Sequence, residues 1–170
     1  MNPVSIVGAG PGAIDLMTIR ALDRLKQAEV LVWTDSLIPP EISELAPKGC
    51  EKIRTSSLTL EEILTLLIDR HKKGKKIVRL HDGDPCLYGA IYEQICGLKE
   101  AGIEVEVVPG ISAYQATAAS LKAELTSFGN KSHDLHTNGR VINTNLHGSQ
   151  VKTSSVLAPT FPSHSNLPTL

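Results

Sequence analysis

Hydrophobic and polar positions alternate between two kinds of segment over the first 121 residues. Short β-branched or aliphatic runs predict strands at 4–7, 29–33, 76–80 and 105–108. Between and after them, apolar residues at helical spacing predict helices at 16–25, 60–73, 89–101 and 112–121. Strands separated by helices of this length predict an α/β fold, a three-layer domain with a mainly parallel sheet.

The second predicted helix carries its own start signal. Thr59 stands at the N-cap and Glu62 three residues later, the pattern of a capping box. Gly74 follows Lys73 and ends the helix. We therefore expect this helix to form as the pattern indicates.

Glycine and aspartate follow the predicted strands where the chain turns. These turns are residues 8–12, 34–36, 81–85 and 109–113. The carboxyl ends of parallel strands meet at one edge of a sheet, which is where α/β proteins bind ligands. Glycine lets a backbone approach a ligand closely, and the carboxylates can accept hydrogen bonds. The pattern predicts one ligand crevice lined by four turns.

The first turn also fits a dinucleotide fingerprint. Gly8, Gly10 and Ala13 follow a strand, and Asp35 ends the next strand, as a binding site for NAD(P) requires. Pro11, however, removes one backbone N–H that should face a pyrophosphate. An NAD(P)-type dinucleotide-binding module is therefore an alternative interpretation.

Composition excludes several classes of protein. The chain has 17 basic and 18 acidic residues, a net charge of −1 and 4% aromatic residues, which argues against a nucleic-acid-binding surface. Cys50, Cys86 and Cys96 have neither disulfide nor zinc spacing, and the histidines have no ligand spacing, so we predict no metal site. No signal peptide or membrane-spanning segment is recognised, and we predict a cytoplasmic protein with reduced thiols.

The composition changes near Thr126. Residues 1–126 hold 17 of the 18 acidic residues, whereas residues 127–170 are rich in Ser, Thr, Asn and His without a period of 2 or 3.6. Such a segment cannot bury a core. We predict one domain over 1–126 and a disordered tail over 127–170.

Three segments resemble the signature motifs of the tetrapyrrole methylases, which methylate porphyrin and corrin precursors. They are residues 7–12 with 16–21, residues 79–89 and residues 108–113. Residues 33–39 and 82–94 are most similar to family members that methylate precorrin-4 at C11 in cobalamin synthesis. The resemblance covers roughly residues 3–126.

The resemblance implies an S-adenosyl-L-methionine-dependent C-methyltransferase. Its substrate would be precorrin-4 or cobalt-precorrin-4, and dimerisation, common in the family, would make the protein a homodimer. Asp35 matches a position at which some members have a proton acceptor and is the predicted catalytic residue. The predicted cofactor contacts are Pro11, Asp82, Gly83, Asp84, Leu87, Ser112 and Ala113.

Two neighbours of these residues are interpreted as structural. His81 is expected to be a packed or capping residue rather than an acid–base group or a metal ligand. Cys86 is expected to be a small packing residue, because no basic neighbour would activate its thiol.

One feature departs from the family pattern. Family members continue after the Leu125-Thr126 position into a second α/β domain, and the cofactor lies in the cleft between the two domains. The tail predicted here is unlike that domain, which suggests a frameshifted or truncated second domain beginning near residues 126–129. We therefore expect weak or absent methyl transfer by the 170-residue chain, and a non-catalytic α/β binding domain is a further alternative.

Overall fold

Five strands form one parallel sheet in the first part of the chain. The computed structural model describes residues 2–125, 134–137 and 140–143, and the chain divides into two units, residues 1–112 and 113–170. The strands of the first unit are β1 Val4–Gly8, β2 Val30–Trp33, β3 Glu51–Arg54, β4 Ile77–His81 and β5 Val105–Val108. Their order is β3-β2-β4-β1-β5, and every neighbouring pair is parallel.

The centre of the sheet consists of the most apolar strands. All residues of β1, β2 and β4 are buried. Ser5 of β1 lies opposite Val78 of β4, and Val30 of β2 lies opposite Ile77. Continuous rather than alternating burial is what a parallel sheet covered on both faces requires.

Helices cover both faces, which confirms the predicted three-layer α/β architecture. The helices are α1 Ile19–Lys26, α2 Pro40–Ser43, α3 Leu60–Lys72 and α4 Ile91–Glu100, with a short 3-10 helix over Ile14–Leu16. On one face, Ala21 and Leu25 of α1 join a core cluster with Leu80. On the other face, Leu67 of α3 and Leu98 of α4 pack in a second cluster.

The predicted capping box at the start of α3 is confirmed. The Thr59 hydroxyl accepts a hydrogen bond from the Glu62 N–H at 3.3 Å. The Glu62 carboxylate in turn accepts from the Thr59 N–H at 2.8 Å. Two backbone donors that a helix start leaves unpaired are thereby satisfied.

Strand β3 and helix α2 of the first unit were not predicted from the sequence. Strand β3, Glu-Lys-Ile-Arg, lies at the edge of the sheet and is only partly buried, so it lacks the apolar run of the central strands. Helix α2 has only four residues and begins with Pro40, which is favourable at the first helical position.

The second unit contains one helix and one small sheet among its described residues. Helix α5 spans Ala113–Ser120, within the predicted 112–121. Strands β6 Asp134–Thr137 and β7 Arg140–Asn143 pair antiparallel. The remainder of the tail predicted to be disordered lies outside the described residues.

Across the part of the chain that the structure describes, no helix is both long enough and apolar enough to cross a membrane.

Candidate functional site

The turns after β1, β4 and β5 converge at the carboxyl edge of the sheet. A methyl group on Gly8 would lie 2.6 Å from the Gly83 carbonyl oxygen and 2.7 Å from the Gly110 nitrogen. One on Gly110 would lie 2.1 Å from the same Gly83 oxygen. Because no side chain fits at either position, glycine lets the three backbones meet, and the three predicted turns form one structure.

A pair of backbone hydrogen bonds joins the first turn to the turn after β4. The Gly10 N–H donates to the Gly83 carbonyl at 3.1 Å, and the Gly83 N–H donates to the Gly10 carbonyl at 2.8 Å. Gly83, a predicted cofactor contact, is therefore held in place by the turn that carries Pro11. Pro11 itself is partly exposed.

This pairing leaves few backbone donors in the first turn. The Ala9 N–H donates to the His81 carbonyl at 2.7 Å, the Gly10 N–H is engaged with Gly83, and Pro11 has no N–H. Helix α1 begins only at Ile19, with Thr18 as its N-cap. A dinucleotide site needs free N–H groups and a helix N-terminus at its glycine-rich turn, so this geometry disfavours the NAD(P) interpretation.

Asp84 ties the turn after β4 to the turn after β5. One carboxylate oxygen accepts from the Cys86 N–H at 2.8 Å, and the other accepts from the Gly110 N–H at 2.9 Å. Both oxygens are thus used within the protein. The side chain of this predicted cofactor contact therefore has a structural role.

Asp82 differs from Asp84 in its partners. It is half-buried, and none of the residues in 2–125 donates a hydrogen bond to its carboxylate. A carboxylate with free acceptor capacity at this edge can receive hydroxyl or amino donors and can stabilise a positive charge. Asp82 is therefore the predicted contact whose side chain is best placed for a ligand.

Asp35, the predicted catalytic residue, lies in the turn after β2 and is hydrogen-bonded to the residues that follow β3. Its carboxylate accepts hydrogen bonds from the Thr55 N–H at 3.1 Å, the Ser56 N–H at 3.0 Å and the Ser56 hydroxyl at 2.9 Å. Desolvation raises the pKa of Asp35, but the hydrogen bonds from Ser56 and Thr55 outweigh it, so this pKa lies below its ordinary range. A lowered pKa makes a carboxylate a weaker base. The catalytic role of Asp35 stays a prediction.

The other predicted contacts lie in three different settings. Leu87 is 41% exposed in the loop after β4, and its N–H donates to the Asp84 carbonyl at 3.0 Å. Ser112 is buried at the end of the first unit. Ala113 is the first residue of α5 and belongs to the second unit.

A buried polar layer beneath the crevice was not predicted. Arg79 of β4 is 4% exposed, and His81, two residues on, is buried with its Nε2 unbonded to any described residue. Burial lowers the pKa of Arg79 to about 10, with Asp82 partly offsetting it. The pKa of His81 is lowered to about 3, mainly by burial and to a smaller extent by the positive charge of Arg79. The imidazole is therefore neutral, and it is packed as predicted. A charged residue inside an apolar strand was the signal that could have indicated this layer.

Within the described residues, no group of three or more His, Cys, Asp or Glu side chains could hold a metal ion.

Comparison with known proteins identifies a family with this fold and these motifs. The family model of the tetrapyrrole (corrin/porphyrin) methylases matches residues 3–154. The cobalt-precorrin-4 C(11)-methyltransferase of Priestia megaterium is 44% identical over 121 residues, which are 71% of this chain and 47% of that protein. The precorrin-4 C(11)-methyltransferase of Pseudomonas aeruginosa is 44% identical over 123 residues, 72% of this chain and 49% of that protein.

Two solved methyltransferase structures are also similar to this chain. A cobalt precorrin-4 methyltransferase superposes with a TM-score of 0.71 at 43% identity, over 73% of this chain and 52% of the other. The uroporphyrin-III C-methyltransferase of Thermus thermophilus in complex with S-adenosylhomocysteine has a TM-score of 0.61 at 36% identity, over 75% and 51%. This chain spans about half the length of the curated relatives that it matches.

Proposed function

Because the chain belongs to the tetrapyrrole (corrin/porphyrin) methylase family, we propose that its first unit binds S-adenosyl-L-methionine at the carboxyl edge of the sheet. We further propose that it supplies part of a methyltransferase acting on C11 of precorrin-4 or cobalt-precorrin-4. The names of the most similar relatives support this substrate, and a family neighbour in complex with S-adenosylhomocysteine supports this cofactor.

The contrast between the first turn and Asp82 carries the proposal. The first turn offers no free N–H from Ala9, Gly10 or Pro11, so it suits an uncharged or cationic group better than a pyrophosphate. The Asp82 carboxylate, half-buried and without a hydrogen-bond donor among residues 2–125, suits a ligand that brings hydroxyl or amino donors. S-adenosylmethionine has both kinds of donor and a sulfonium charge.

The proposed reaction is the transfer of one methyl group to carbon. S-adenosylmethionine supplies the methyl as an electrophile, and S-adenosylhomocysteine is the other product. The chain's own contribution is to orient the cofactor through the turns at residues 8–12 and 81–85 and to exclude water from the reacting groups. Such positioning accounts for much of the rate when the protein forms no covalent bond to the substrate.

For Asp35 we propose a role at the substrate side of the crevice. Its hydrogen bonds to Thr55 and Ser56 keep it ionised. An ionised carboxylate has about four acceptor positions, and the bonds from Thr55 and Ser56 leave one of them for a donor group of the substrate. The lowered pKa favours this anchoring role over that of a proton acceptor.

Binding of S-adenosylhomocysteine, measured by isothermal titration calorimetry on the full 170-residue chain, tests the cofactor proposal. We expect binding of S-adenosylhomocysteine and none of NAD. Asp82→Asn should weaken binding about tenfold, because a charge-assisted hydrogen bond is replaced by a neutral one. Its matched control is Asp23→Asn, an exposed carboxylate on α1, which should bind as the unmodified chain does.

Each other outcome contradicts a separate part of the proposal. If Asp82→Asn binds S-adenosylhomocysteine as tightly as the unmodified chain does, the contact assigned to Asp82 is wrong. Binding of NAD in preference would favour the dinucleotide module. Binding of neither ligand would overturn the cofactor proposal and leave a non-catalytic binding domain as the account of this chain.

A further inference from the structure

One arginine, Arg79, is buried beneath the crevice and makes no ion pair with any residue that the structure describes. Side chains alternate along β4, so Arg79 and His81 share the face of Ile77, while Val78 and Leu80 join the opposite core cluster. Arg79 is 4% exposed, and among residues 2–125 no carboxylate lies within ion-pair distance of its guanidinium. Burying a charge in this way is costly unless hydrogen bonds compensate for the lost water.

The hydrogen bonds of Arg79 reach two elements besides its own strand. Its Nη1 donates to the Thr34 hydroxyl at 3.2 Å, to the Val32 carbonyl at 3.4 Å and to the Leu80 carbonyl at 3.0 Å. Its Nε donates to the Gln94 side-chain oxygen at 3.3 Å. Arg79 therefore connects the ends of β2 and β4 to α4.

The connection to β2 ends at the turn that carries Asp35. Thr34 is the residue before Asp35, and its carbonyl accepts hydrogen bonds from the N–H groups of Leu37 and Ile38 at 3.2 and 3.0 Å. Arg79 therefore bonds to the hydroxyl of Thr34, the residue whose carbonyl closes this turn through the Leu37 and Ile38 N–H groups. A change in the position of Thr34 would move Asp35 with it.

The connection to α4 ends at the loop that carries Leu87. The amide nitrogen of Gln94 donates to the Ala90 carbonyl at 3.4 Å, and Ala90 is the N-cap of α4. Tyr88 and Ala90 both have positive φ, 60° and 45°. Residues other than glycine stay in this region only where the surrounding structure holds them, and Gln94, itself held by Arg79, is one such restraint.

We propose that Arg79 is a positioning residue, which through Thr34 and Gln94 holds the Asp35 turn and the 85–90 loop in the arrangement that binds ligand. The inference rests on the proposed function, because the ligand is the one proposed there. Arg79 acts through these two neighbours and does not itself need to touch the ligand.

Arg79→Met separates positioning from a purely structural role. Methionine has a similar volume and no charge, and replacing a buried charge by a well-packed apolar side chain is often neutral or stabilising. We therefore expect a melting temperature equal to or above that of the unmodified chain, with affinity for S-adenosylhomocysteine reduced about tenfold. Arg79→Lys, which keeps the charge and can reach only part of the hydrogen-bond set, should recover part of the affinity.

The matched control is an arginine at the opposite edge of the sheet. Arg24 of α1 makes a two-point ion pair with Glu106 of β5, at 2.7 and 2.8 Å. Arg24→Met should lower the melting temperature and leave the affinity unchanged. For a folded Arg79→Met, the proposal is overturned if affinity is lost only together with a lower melting temperature, or if S-adenosylhomocysteine binds as it does to the unmodified chain.

Hydrogen exchange of the unliganded chain gives a readout that does not depend on binding. In Arg79→Met the amides of Leu37 and Ile38 should exchange faster, while those of Ala9 and Gly83, bonded outside the network, should stay protected. Unchanged exchange at Leu37 and Ile38 contradicts the proposal. If the unmodified chain binds no S-adenosylhomocysteine, the proposed function fails, yet this measurement still decides whether Arg79 positions the turn.

A second variant applies if Arg79→Met does not fold. Thr34→Val removes only the hydroxyl that Arg79 contacts and keeps the shape of the side chain. Faster exchange at Leu37 and Ile38 with native melting behaviour supports the proposal, whereas unchanged exchange overturns it.

Discussion

The carboxylates at the amino ends of the parallel strands (the amino edge) and those at the carboxyl ends (the carboxyl edge) have different partners. At the amino edge, Glu106 pairs with Arg24, Glu29 with Lys75, and Glu51 with Arg70. At the carboxyl edge, none of the ion pairs among the described residues involves Asp35, Asp82 or Asp84. Two of those three carboxylates accept backbone N–H groups instead, and Asp82 accepts none from residues 2–125.

Apolar exposure shows the same difference. Among residues 2–112, every exposed large apolar side chain lies in a turn at the carboxyl edge or in the first turn of the helix that follows: Ile14, Leu16, Ile19, Leu37, Leu87, Tyr88 and Tyr92. The amino edge therefore contributes stability through paired charges. The carboxyl edge retains free hydrogen-bonding capacity and apolar surface, which are the properties of a binding site.

The strongest way to disrupt the carboxyl edge is to separate its converging turns. Gly110→Ala would bring a methyl group to 2.1 Å from the Gly83 carbonyl oxygen, so at least one backbone must move. We expect a loss of about 3 kcal/mol in the free energy of unfolding, together with loss of ligand binding. Urea denaturation followed by circular dichroism measures the first effect, and calorimetry with S-adenosylhomocysteine measures the second.

Gly49→Ala is the matched control for that substitution. Apart from Gly49 itself and its two neighbours in the chain, no atom of the described residues lies within 4 Å of a methyl group at this exposed position. We expect a change of no more than about 0.5 kcal/mol. If Gly110→Ala proved as mild as Gly49→Ala, the converging turns would not be the rigid structure described.

A smaller effect should distinguish Asp84 from Asp82. In Asp84→Asn, the remaining side-chain oxygen can accept a hydrogen bond from the N–H of Cys86 or from that of Gly110, but not from both. The amide NH2 then faces the second N–H, and two donors cannot bond to each other. We expect a destabilisation of about 2 kcal/mol and weaker ligand binding, measured by urea denaturation and calorimetry. Asp82→Asn should weaken binding with a smaller loss of stability, because Asp82 accepts no hydrogen bond from residues 2–125 and interacts with Arg79 through its charge. A loss of stability in Asp82→Asn equal to that in Asp84→Asn would show that the two carboxylates have the same structural role.

Most of the fold could be predicted from the sequence because its signals are local. Apolar runs indicated β1, β2, β4 and β5, and the Thr59 and Glu62 pair indicated the start of α3. Strand β3 was missed because three of the four residues of this edge strand are charged, so it has no apolar run. The three-layer architecture followed because parallel strands joined by helices allow few other arrangements.

The site could be predicted only to the level of its turns. Asp82 and Asp84 are two residues apart and both follow β4, yet only Asp84 reaches a partner 26 residues away, the Gly110 N–H. The bonds of Asp35 to Ser56 likewise depend on β3, which was not recognised. Which carboxylate remains available to a ligand is decided by contacts distant in sequence, and these carry no local pattern.

A smaller effect than that of Asp84→Asn is expected at the amino edge. Glu106 accepts hydrogen bonds from Arg24 and Ser5. These hydrogen bonds, mainly those from Arg24, lower the pKa of the Glu106 carboxyl below the ordinary value of 4.5, although partial desolvation raises it. A carboxyl whose pKa is lower in the folded chain than in the unfolded chain stabilises the fold at every pH above its unfolded-state pKa. This stabilisation is lost as the pH falls through its folded-state pKa. Because both partners are partly exposed, Glu106→Gln should cost only about 1 kcal/mol at pH 7.

The pH dependence identifies the cause of that loss. Melting temperatures of the unmodified chain and of Glu106→Gln should differ at pH 7. They should converge as the pH falls below the ordinary pKa of a glutamate and through the lower pKa of Glu106, where the carboxylate becomes protonated. Affinity for S-adenosylhomocysteine at pH 7 should be the same in both, because Glu106 lies at the edge of the sheet opposite the crevice. A difference in melting temperature that persists at low pH would mean that packing rather than charge is lost. A change in affinity would contradict the separation of the two edges, because stability at one edge would then determine binding at the other.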